Sequence, residues 1–485
     1  MKGGNVISYF LAGAVPRLAM FVILFVLARR LSIKETGLFV LVTTIGEVLE
    51  MIFGNWLRVF IQSREAGQGK LRSLRGGRIV GLALAMYTLA ALAILPVAWI
   101  VAEERIAAFA LAVFAYVTAF ALLRLVLAVQ QVTHNHALFT RIELARGILI
   151  MLTVVAATMV PGATFVGPAL ALSGTTLLAG LAGAWFGRAQ MARPRLVRKG
   201  LATARRFGLP IVADTTLSFI VIYFERFVLN EVLGPASVGV YAIAYALGRQ
   251  PVDFIAGPMN TMTVPMLFAA RARQGDAVAR SMQSGFSITL FVLCAGALTG
   301  TALLAEPVAA LFVKPELQAD TARLMPIIAL AACFVVFKTF LYDNLFFMLG
   351  RNGLKLASIL PAAVLGAGLG IVLIRQFGLI GAAVAAAGSA ALALCASIVA
   401  TRSFFRFPLP WLRLGGVALA ASAGGLALWV LRTLAIPYGP LAELLAGFAG
   451  FTVAYAAALT VQGISIRAML KTPWAPLAVT PSQPA

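Results

Sequence analysis

Acidic residues are the scarcest chemical class in this sequence. Asp and Glu number 17 against 39 Lys and Arg, charged residues of both signs make up only 12% of the 485 residues, and 61% of the chain is hydrophobic. A soluble protein could not cover that many apolar side chains with polar surface. The composition therefore excludes a soluble globular protein and predicts an all-α membrane protein.

Cysteine and catalytic signatures are also lacking. The three cysteines, Cys294, Cys333 and Cys395, each lie alone in an apolar run, which excludes a disulfide framework and a metal cluster and predicts small buried side chains. No G-x-x-x-x-G-K-[ST] string occurs; the nearest, GQGK at 67–70, lacks the upstream Gly and the Ser or Thr of an ATP-binding loop. We therefore expect no catalytic residue, metal or cofactor.

Long apolar runs recur along the whole chain. A bilayer crossing takes about 20 apolar residues, and fourteen runs reach that length, leaving no room for a large soluble domain. The predicted spans lie near residues 5–28, 36–61, 79–101, 106–131, 143–161, 164–187, 207–230, 236–268, 282–304, 322–349, 355–374, 378–400, 412–432 and 440–462.

The net charge of +22 is explained by membrane topology. Basic residues occur in short clusters between apolar runs without interleaved aromatics, so we expect no nucleic-acid partner. With a cytoplasmic N-terminus, the loops and helix ends on the inner side hold 25 Lys and Arg and those on the outer side hold 8. The positive-inside rule therefore predicts that both termini are cytoplasmic.

An internal repeat divides the chain. Two Gly-rich segments of the first half recur in the second at separations of 202 and 214 residues, which predicts parallel six-helix lobes related by a pseudo-twofold axis along the membrane normal. The paired glycines are Gly37/Gly239 and Gly46/Gly248, then Gly167/Gly381 and Gly174/Gly388. The predicted parts are an N-terminal lobe (1–190), a basic cytoplasmic linker (191–206), a C-terminal lobe (207–405), two extra helices (406–465) and a cytoplasmic tail (466–485).

Apart from the Lys and Arg residues at helix ends, six cations fall inside the predicted spans. Each would cost about 2.5–3.5 kcal/mol on a lipid-facing helix centre, so we expect them to line a hydrated cavity between the lobes. The separation of 214 pairs Arg124 with Lys338, and that of 202 pairs Glu47 with Arg249. The predicted substrate-binding cations are Arg17, Arg58, Arg124, Arg249 and Lys338, and the sixth cation is Arg226.

Acidic residues in the spans are candidates for coupling to H⁺ or Na⁺. Glu47 and Glu50 have i, i+3 spacing, and Arg249 and Asp253 have i, i+4 spacing, so each pair shares a helix face; an internal salt bridge explains the second pair equally well. Asp214 is the better candidate of the seventh span, because it lies nearer the cytoplasmic side, whereas Glu225 and Arg226 lie near the outer end and are expected to reach interfacial water. The predicted ion-coupling residues are Asp214, Glu47, Glu50 and Asp253.

Two segments carry a family resemblance. LARRLSIKETGLFVLV ends the first span, and YFERFVLNEVLGPASVGVYAIAYALG opens the second half. With the Gly/Ala repeats and fourteen spans, the chain resembles the polysaccharide flippase (Wzx-type) family of the multidrug/oligosaccharidyl-lipid/polysaccharide (MOP) exporter superfamily. The family usually has Asp at the position of Glu225.

The resemblance implies a multi-pass protein of the bacterial inner membrane. Its substrate would be a sugar or oligosaccharide on polyprenyl (undecaprenyl) pyrophosphate, flipped from the cytoplasmic to the periplasmic leaflet by alternating access, for O-antigen, exopolysaccharide or capsule synthesis. The expected partners are this lipid-linked sugar, membrane lipids, and a polysaccharide polymerase with its assembly proteins. We expect the protein itself to be a monomer.

Three alternatives remain open from the sequence. A cation-coupled multidrug (MATE-like) exporter would favour a cavity of carboxylates, whereas Arg124 and Lys338 are basic. A membrane-embedded polysaccharide polymerase or ligase would need outer-loop acid, base or metal groups, but the longest outer loop, near 306–323, is modest. A scaffold without transport would tolerate loss of the interior charges.

Overall fold

The described part of the chain is mostly α-helical. A computed structural model describes residues 3–65, 92, 94, 105–133, 135–188, 208–472 and 474, and these residues contain no β-strand. Eight segments in the described part are long and apolar enough to cross a membrane. The predicted all-α membrane fold is confirmed, while the count of fourteen spans and the symmetry of the lobes stay predictions.

The first compact unit is Met1–Ala242. In this unit α2 packs against α3 and α6, α1 packs against α4, and α5 packs against both α3 and α4. The helices are α1 (Gly3–Arg30), α2 (Ile33–Glu65), α3 (Ile106–Val132), α4 (His136–Thr158), α5 (Val166–Phe186), α6 (Leu209–Leu233) and the first turns of α7 (Pro235–Gln274).

The second compact unit is Ile243–Ala485. Here α9 packs against α8 and α11, and α12 and α13 pack against each other and against α8. After α7 come α8 (Asp276–Phe312), α9 (Pro315–Phe337), a π-helix (Lys338–Asp343), α10 (Asn344–Met348), α11 (Asn352–Arg402), α12 (Trp411–Ala435), a 3-10 turn (Ile436–Tyr438), α13 (Pro440–Val461) and α14 (Ile466–Lys471).

Helix boundaries follow local chemistry. Ser32 precedes α2, and its hydroxyl accepts a hydrogen bond from the Glu35 amide at 3.2 Å, as expected for a Ser residue at a helix N-cap. Gly378 interrupts α11 with a φ of 59°, a backbone conformation that residues with a Cβ rarely adopt. The break separates the predicted spans 355–374 and 378–400.

The predicted spans agree with the helices wherever both can be compared. Thirteen of the fourteen spans coincide with a helical segment. The third, 79–101, lies outside the described residues except for Leu92 and Ile94, and so does the predicted linker 191–206. The division into lobes at 190 and 207 stays a prediction; by packing, α6 belongs to the first compact unit.

The two extra helices α12 and α13 are fixed to the second unit by small residues and one arginine. Gly424 of α12 lies against Tyr455 and Phe451 of α13, where an added Cβ would crowd the Tyr455 Cβ atom and the Phe451 ring. The Arg432 guanidinium forms ion pairs with Glu306 and Glu443 and donates a hydrogen bond to the Leu303 carbonyl at 2.6 Å. Close backbone approach and polar contacts of this kind replace the hydrophobic drive that lipid does not supply.

The predicted burial of the cysteines is correct for two of the three. Cys294 and Cys333 are buried free thiols, and the Cys333 thiol lies 3.7 Å from the Cys294 carbonyl oxygen. Cys395 is exposed, so that prediction was wrong. Its position on the apolar surface of α11 suits a small hydrophobic side chain in contact with lipid as well as one in a core.

Candidate functional site

Four charged side chains of α2 and α3 form one ion-paired group, which we call the α2–α3 charge cluster: Glu47, Glu50, Arg58 and Arg124. The Nη2 atom of Arg124 lies 2.7 Å from both carboxylate oxygens of Glu47. Its Nη1 atom donates to Glu50, whose other oxygen accepts from Arg58. Arg124 therefore bridges the two glutamates, and the four formal charges sum to zero.

Helix geometry brings these residues together. Residues i and i+3 share a helix face, so Glu47 and Glu50 both point at α3, as their shared contact with Arg124 requires. Gly46 lies directly against the ring of Tyr116, which allows α2 and α3 to approach closely. The Tyr116 hydroxyl in turn donates to Glu47 at 3.1 Å.

The cluster has a covered end and an accessible end. The Glu50 side chain is fully buried and Arg58 is 12% exposed, whereas Arg124 and Glu47 are 25% and 24% exposed. A buried carboxylate with two guanidinium partners is stable only while both partners remain. Glu50 and Arg58 thus anchor the cluster, and the Arg124–Glu47 pair is the part that a ligand can reach.

A second polar group in the first unit joins α6 to α2 and α7. The Arg226 guanidinium donates to the Thr44 hydroxyl at 2.8 Å and stands over the Tyr223 ring at 4.8 Å. Glu225 accepts a hydrogen bond from the Tyr241 hydroxyl at 3.4 Å. Only 4% of Glu225 and 8% of Arg226 are exposed, so the expectation that they reach interfacial water was wrong.

In the second unit, Lys338 and Asp343 form a buried ion pair across the π-helix. The Lys338 Nζ atom lies 2.5 Å from Asp343 Oδ2, and both side chains are less than 10% exposed. Gln283 of α8 donates to the Leu341 carbonyl at 2.7 Å, which satisfies a backbone group that the wider helical turn leaves available. π-Helical segments occur frequently at functional sites.

We expect Lys338→Met to destabilise the protein strongly, because the Asp343 carboxylate would remain buried without its cation. Breaking one partner of a buried pair costs about 3–5 kcal/mol. The double variant Lys338→Met with Asp343→Leu removes both charges and should recover most of that loss. Thermal unfolding of the purified variants in detergent, followed by fluorescence-detected gel filtration, measures both effects; equal midpoints for the single variant and the wild type would contradict the prediction.

Arg249 and Asp253 of α7 form the salt bridge expected from their i, i+4 spacing. Arg249 Nε lies 2.6 Å from Asp253 Oδ2, and the guanidinium also contacts the Tyr245 hydroxyl. The Asp253 side chain is 41% exposed. This pair is therefore more accessible than Lys338–Asp343.

The predicted cations thus occupy different surroundings. Arg58 and Arg124 share the α2–α3 charge cluster, while Arg249 and Lys338 each have their own carboxylate. Arg17 is exposed on α1, which continues through Pro16 without interruption. The substrate-binding roles of Arg17, Arg58, Arg124, Arg249 and Lys338, and the ion-coupling roles of Asp214, Glu47, Glu50 and Asp253, stay predictions.

Sequence reasoning missed a further ion pair of the first unit. Arg146 and Glu143 of α4 lie 2.7 Å apart, and both are buried. The Arg146 guanidinium stands over the Phe120 ring at 5.9 Å, and Arg124 stands over the same ring at 5.4 Å. The i, i+3 spacing of Glu143 and Arg146 was the signal that could have revealed the pair.

Known structures share this fold at low sequence identity. The "Lipid II flippase MurJ" in its inward closed conformation superposes with a TM-score of 0.71 and 12% identity, covering 94% of this chain and 99% of that chain. A mutant form of the Vibrio cholerae MATE transporter VcmN gives 0.59 and 15%, covering 82% and 96%. A MOP superfamily transporter from Pyrococcus furiosus gives 0.57 and 14%, covering 85% and 95%.

The sequence comparisons give the family. No curated protein matches the sequence significantly. A model of the family described as "Polysaccharide biosynthesis protein" matches residues 26–314, more than half of the chain, including all of the α2–α3 charge cluster. The family resemblance expected from the sequence is therefore confirmed: the chain belongs to the polysaccharide biosynthesis protein family and has the fold of MOP superfamily transporters.

Proposed function

We propose that this protein is a flippase for lipid-linked sugars and not an enzyme. Its substrate would be a sugar or oligosaccharide on polyprenyl pyrophosphate, moved by alternating access from the cytoplasmic to the periplasmic leaflet of a bacterial inner membrane. The family match to polysaccharide biosynthesis and the fold shared with a "Lipid II flippase" support this proposal. As a monomer, the protein would deliver the substrate to a polysaccharide polymerase and its assembly proteins.

The proposal rests on the position and the exposure of Arg124. This arginine lies within a candidate membrane span, Ile106–Gln131, yet a quarter of its side chain is accessible. A guanidinium binds phosphate oxygens with paired, charge-assisted hydrogen bonds. A pyrophosphate head cannot cross hydrocarbon unaided, so a partly accessible arginine inside a span gives it a binding partner there.

The geometry supports an exchange of anions at Arg124. Glu47 and the incoming pyrophosphate would compete for the Nη2 side of the guanidinium, while buried Glu50 and Arg58 keep Arg124 in place. A proton transferred from the aqueous phase to Glu47 would neutralise the competing carboxylate and favour the phosphate. The same carboxylate would thereby couple substrate binding to a proton, and Glu47 becomes the first of the predicted ion-coupling residues to test.

A second function has one specific observation in its favour. The α2–α3 charge cluster contains two carboxylates as well as two arginines and is neutral overall. A cation-coupled multidrug exporter would use Glu47 to bind an organic cation, with Arg124 as the group displaced. The two proposals therefore assign the same atoms to substrates of opposite charge.

Transport into proteoliposomes distinguishes them. The purified chain would be reconstituted with a fluorescent sugar on polyprenyl pyrophosphate, and dithionite quenching would report the label's leaflet. For the wild type we expect the label to be flipped far faster than in protein-free vesicles. The flipping rate of the Glu47→Gln variant should no longer depend on an imposed pH gradient. If flipping is no faster than in empty vesicles and the protein takes up an organic cation such as ethidium, the exporter function is correct and the flippase function is wrong.

A further inference from the structure

A cavity of about 390 Å³ lies in the second unit, where α11 ends and α12 begins. It is formed by the last turn of α11, the connection 403–410, the start of α12 and the π-helix. The lining side chains include Thr401, Arg402, Phe405, Arg406, Phe407 and Trp411. The α2–α3 charge cluster, in contrast, belongs to the first unit.

The charge of this cavity is positive. Arg402 and Arg406 are both exposed, and in the described part of the chain neither forms an ion pair with a carboxylate. The only hydrogen bond that Arg406 makes within those residues uses Nε, which donates to the Arg402 carbonyl at 2.7 Å, so four of its five N–H donors remain for a ligand. The sequence from Asn344 to Ala442 contains seven Lys and Arg and no Asp or Glu.

The walls of the cavity are fixed by packing. Tyr342 of the π-helix lies against Phe407 with ring centroids 5.7 Å apart. The Ser284 hydroxyl of α8 donates to the Pro408 carbonyl at 2.7 Å, which ties the connection to the helix beside it. A third arginine, Arg280, stands over the Phe405 ring at 5.4 Å. The binding surface is therefore built before any ligand arrives.

The mouth of the cavity lies between the ends of two candidate membrane spans. One candidate span ends at Arg402 and the next begins at Trp411. Trp411 is 73% exposed and Leu412 is 90% exposed. Tryptophan is enriched at the level of lipid headgroups, and exposed leucine beside it suits contact with acyl chains. The polar end of a ligand bound here would contact the arginines, and its apolar end would contact Trp411 and Leu412.

We infer that this cavity binds the phosphate headgroup of an anionic phospholipid, with Arg402 and Arg406 on the phosphate and the acyl chains along the start of α12. Basic pockets between membrane helices bind anionic headgroups in this way. A free phosphate would satisfy the arginines but would leave Trp411 and Leu412 without a role. The inference does not depend on which substrate the protein transports.

Native mass spectrometry of the full chain in detergent tests the inference. Phosphatidylglycerol and phosphatidylcholine with identical acyl chains would be titrated in parallel, with inorganic phosphate as a third arm. We expect one tight binding step for phosphatidylglycerol, none of equal strength for phosphatidylcholine, and no displacement by millimolar phosphate. The double variant Arg402→Gln with Arg406→Gln should bind phosphatidylglycerol at least tenfold more weakly. The double variant Arg402→Lys with Arg406→Lys should keep most of the wild-type affinity.

Arg375→Gln is the matched control, because this exposed arginine of α11 lies far along the helix from Arg402; it should bind phosphatidylglycerol like the wild type. A second measurement needs no charge change: brominated phosphatidylglycerol should quench tryptophan fluorescence, and Trp411→Phe should remove the high-affinity part of that quenching. Three results would each overturn the inference: unchanged phosphatidylglycerol binding by the double variant Arg402→Gln with Arg406→Gln, equal binding of phosphatidylcholine by the wild type, or full displacement of phosphatidylglycerol by phosphate.

Discussion

Arg124→Gln is expected to abolish most transport of a lipid-linked sugar. Glutamine keeps two donors but loses the charge, so the pyrophosphate would exchange a charge-assisted pair of hydrogen bonds for neutral ones. A difference of about 3 kcal/mol, within the range for hydrogen bonds to charged groups, corresponds to a fall in rate of roughly 100-fold. The flipping rate is measured in proteoliposomes of equal protein density, as the change in the fraction of labelled sugar that dithionite can reach.

The chain offers a matched control in Arg146. It is a buried arginine of the same unit, is paired with a glutamate, and stands over the same Phe120 ring as Arg124. Arg146→Gln should lower the unfolding midpoint as much as Arg124→Gln does, because each leaves a carboxylate without its cation. Transport should fall only for Arg124→Gln. If both variants lose transport in proportion to their stability, the α2–α3 charge cluster is structural.

The sequence predicted the presence of interior charges but not their arrangement. Arg58, Arg124 and Lys338 stand out because lipid would reject them, and Glu47 and Glu50 share a face by simple helical spacing. That Arg124 bridges both glutamates depends on how α2 crosses α3, which is set by the contact of Gly46 with a tyrosine ring. Tertiary packing of this kind leaves no periodic signal in either helix.

Burial near the ends of helices was the harder property to predict. Glu225 and Arg226 sit close to the C-terminal end of α6, where hydropathy alone favours interfacial water. The structure buries both, because α2 and α7 cover that part of α6 and supply Thr44 and Tyr241 as partners. The carboxylate of Glu225 thus accepts a buried hydrogen bond.

The repeat register paired two glycines that the structure places in contact, although the sequence predicted no contact between them. Gly37 and Gly239 were paired only because they are 202 residues apart in similar segments. In the first unit these two glycines lie against each other where the starts of α2 and α7 meet: a Cβ on Gly239 would lie 2.6 Å from the Ile33 carbonyl oxygen and 3.2 Å from the Gly37 nitrogen. Only glycine allows the backbones to come this close.

Among the described glycines of the first unit, Gly37 is where an added methyl is expected to cause the largest loss of stability, as the variant Gly37→Ala. The new Cβ would overlap the Pro235 carbonyl, a backbone group that cannot rotate away, so the cost should reach the upper end of the overpacking range, about 3 kcal/mol. Gly174→Ala is the control, since nothing lies within 4 Å of its added Cβ and alanine should gain up to about 1 kcal/mol in the helix. Thermal unfolding in detergent should thus shift in opposite directions for two identical substitutions, and a parallel shift would mean that the close approach of α2 and α7 does not limit stability.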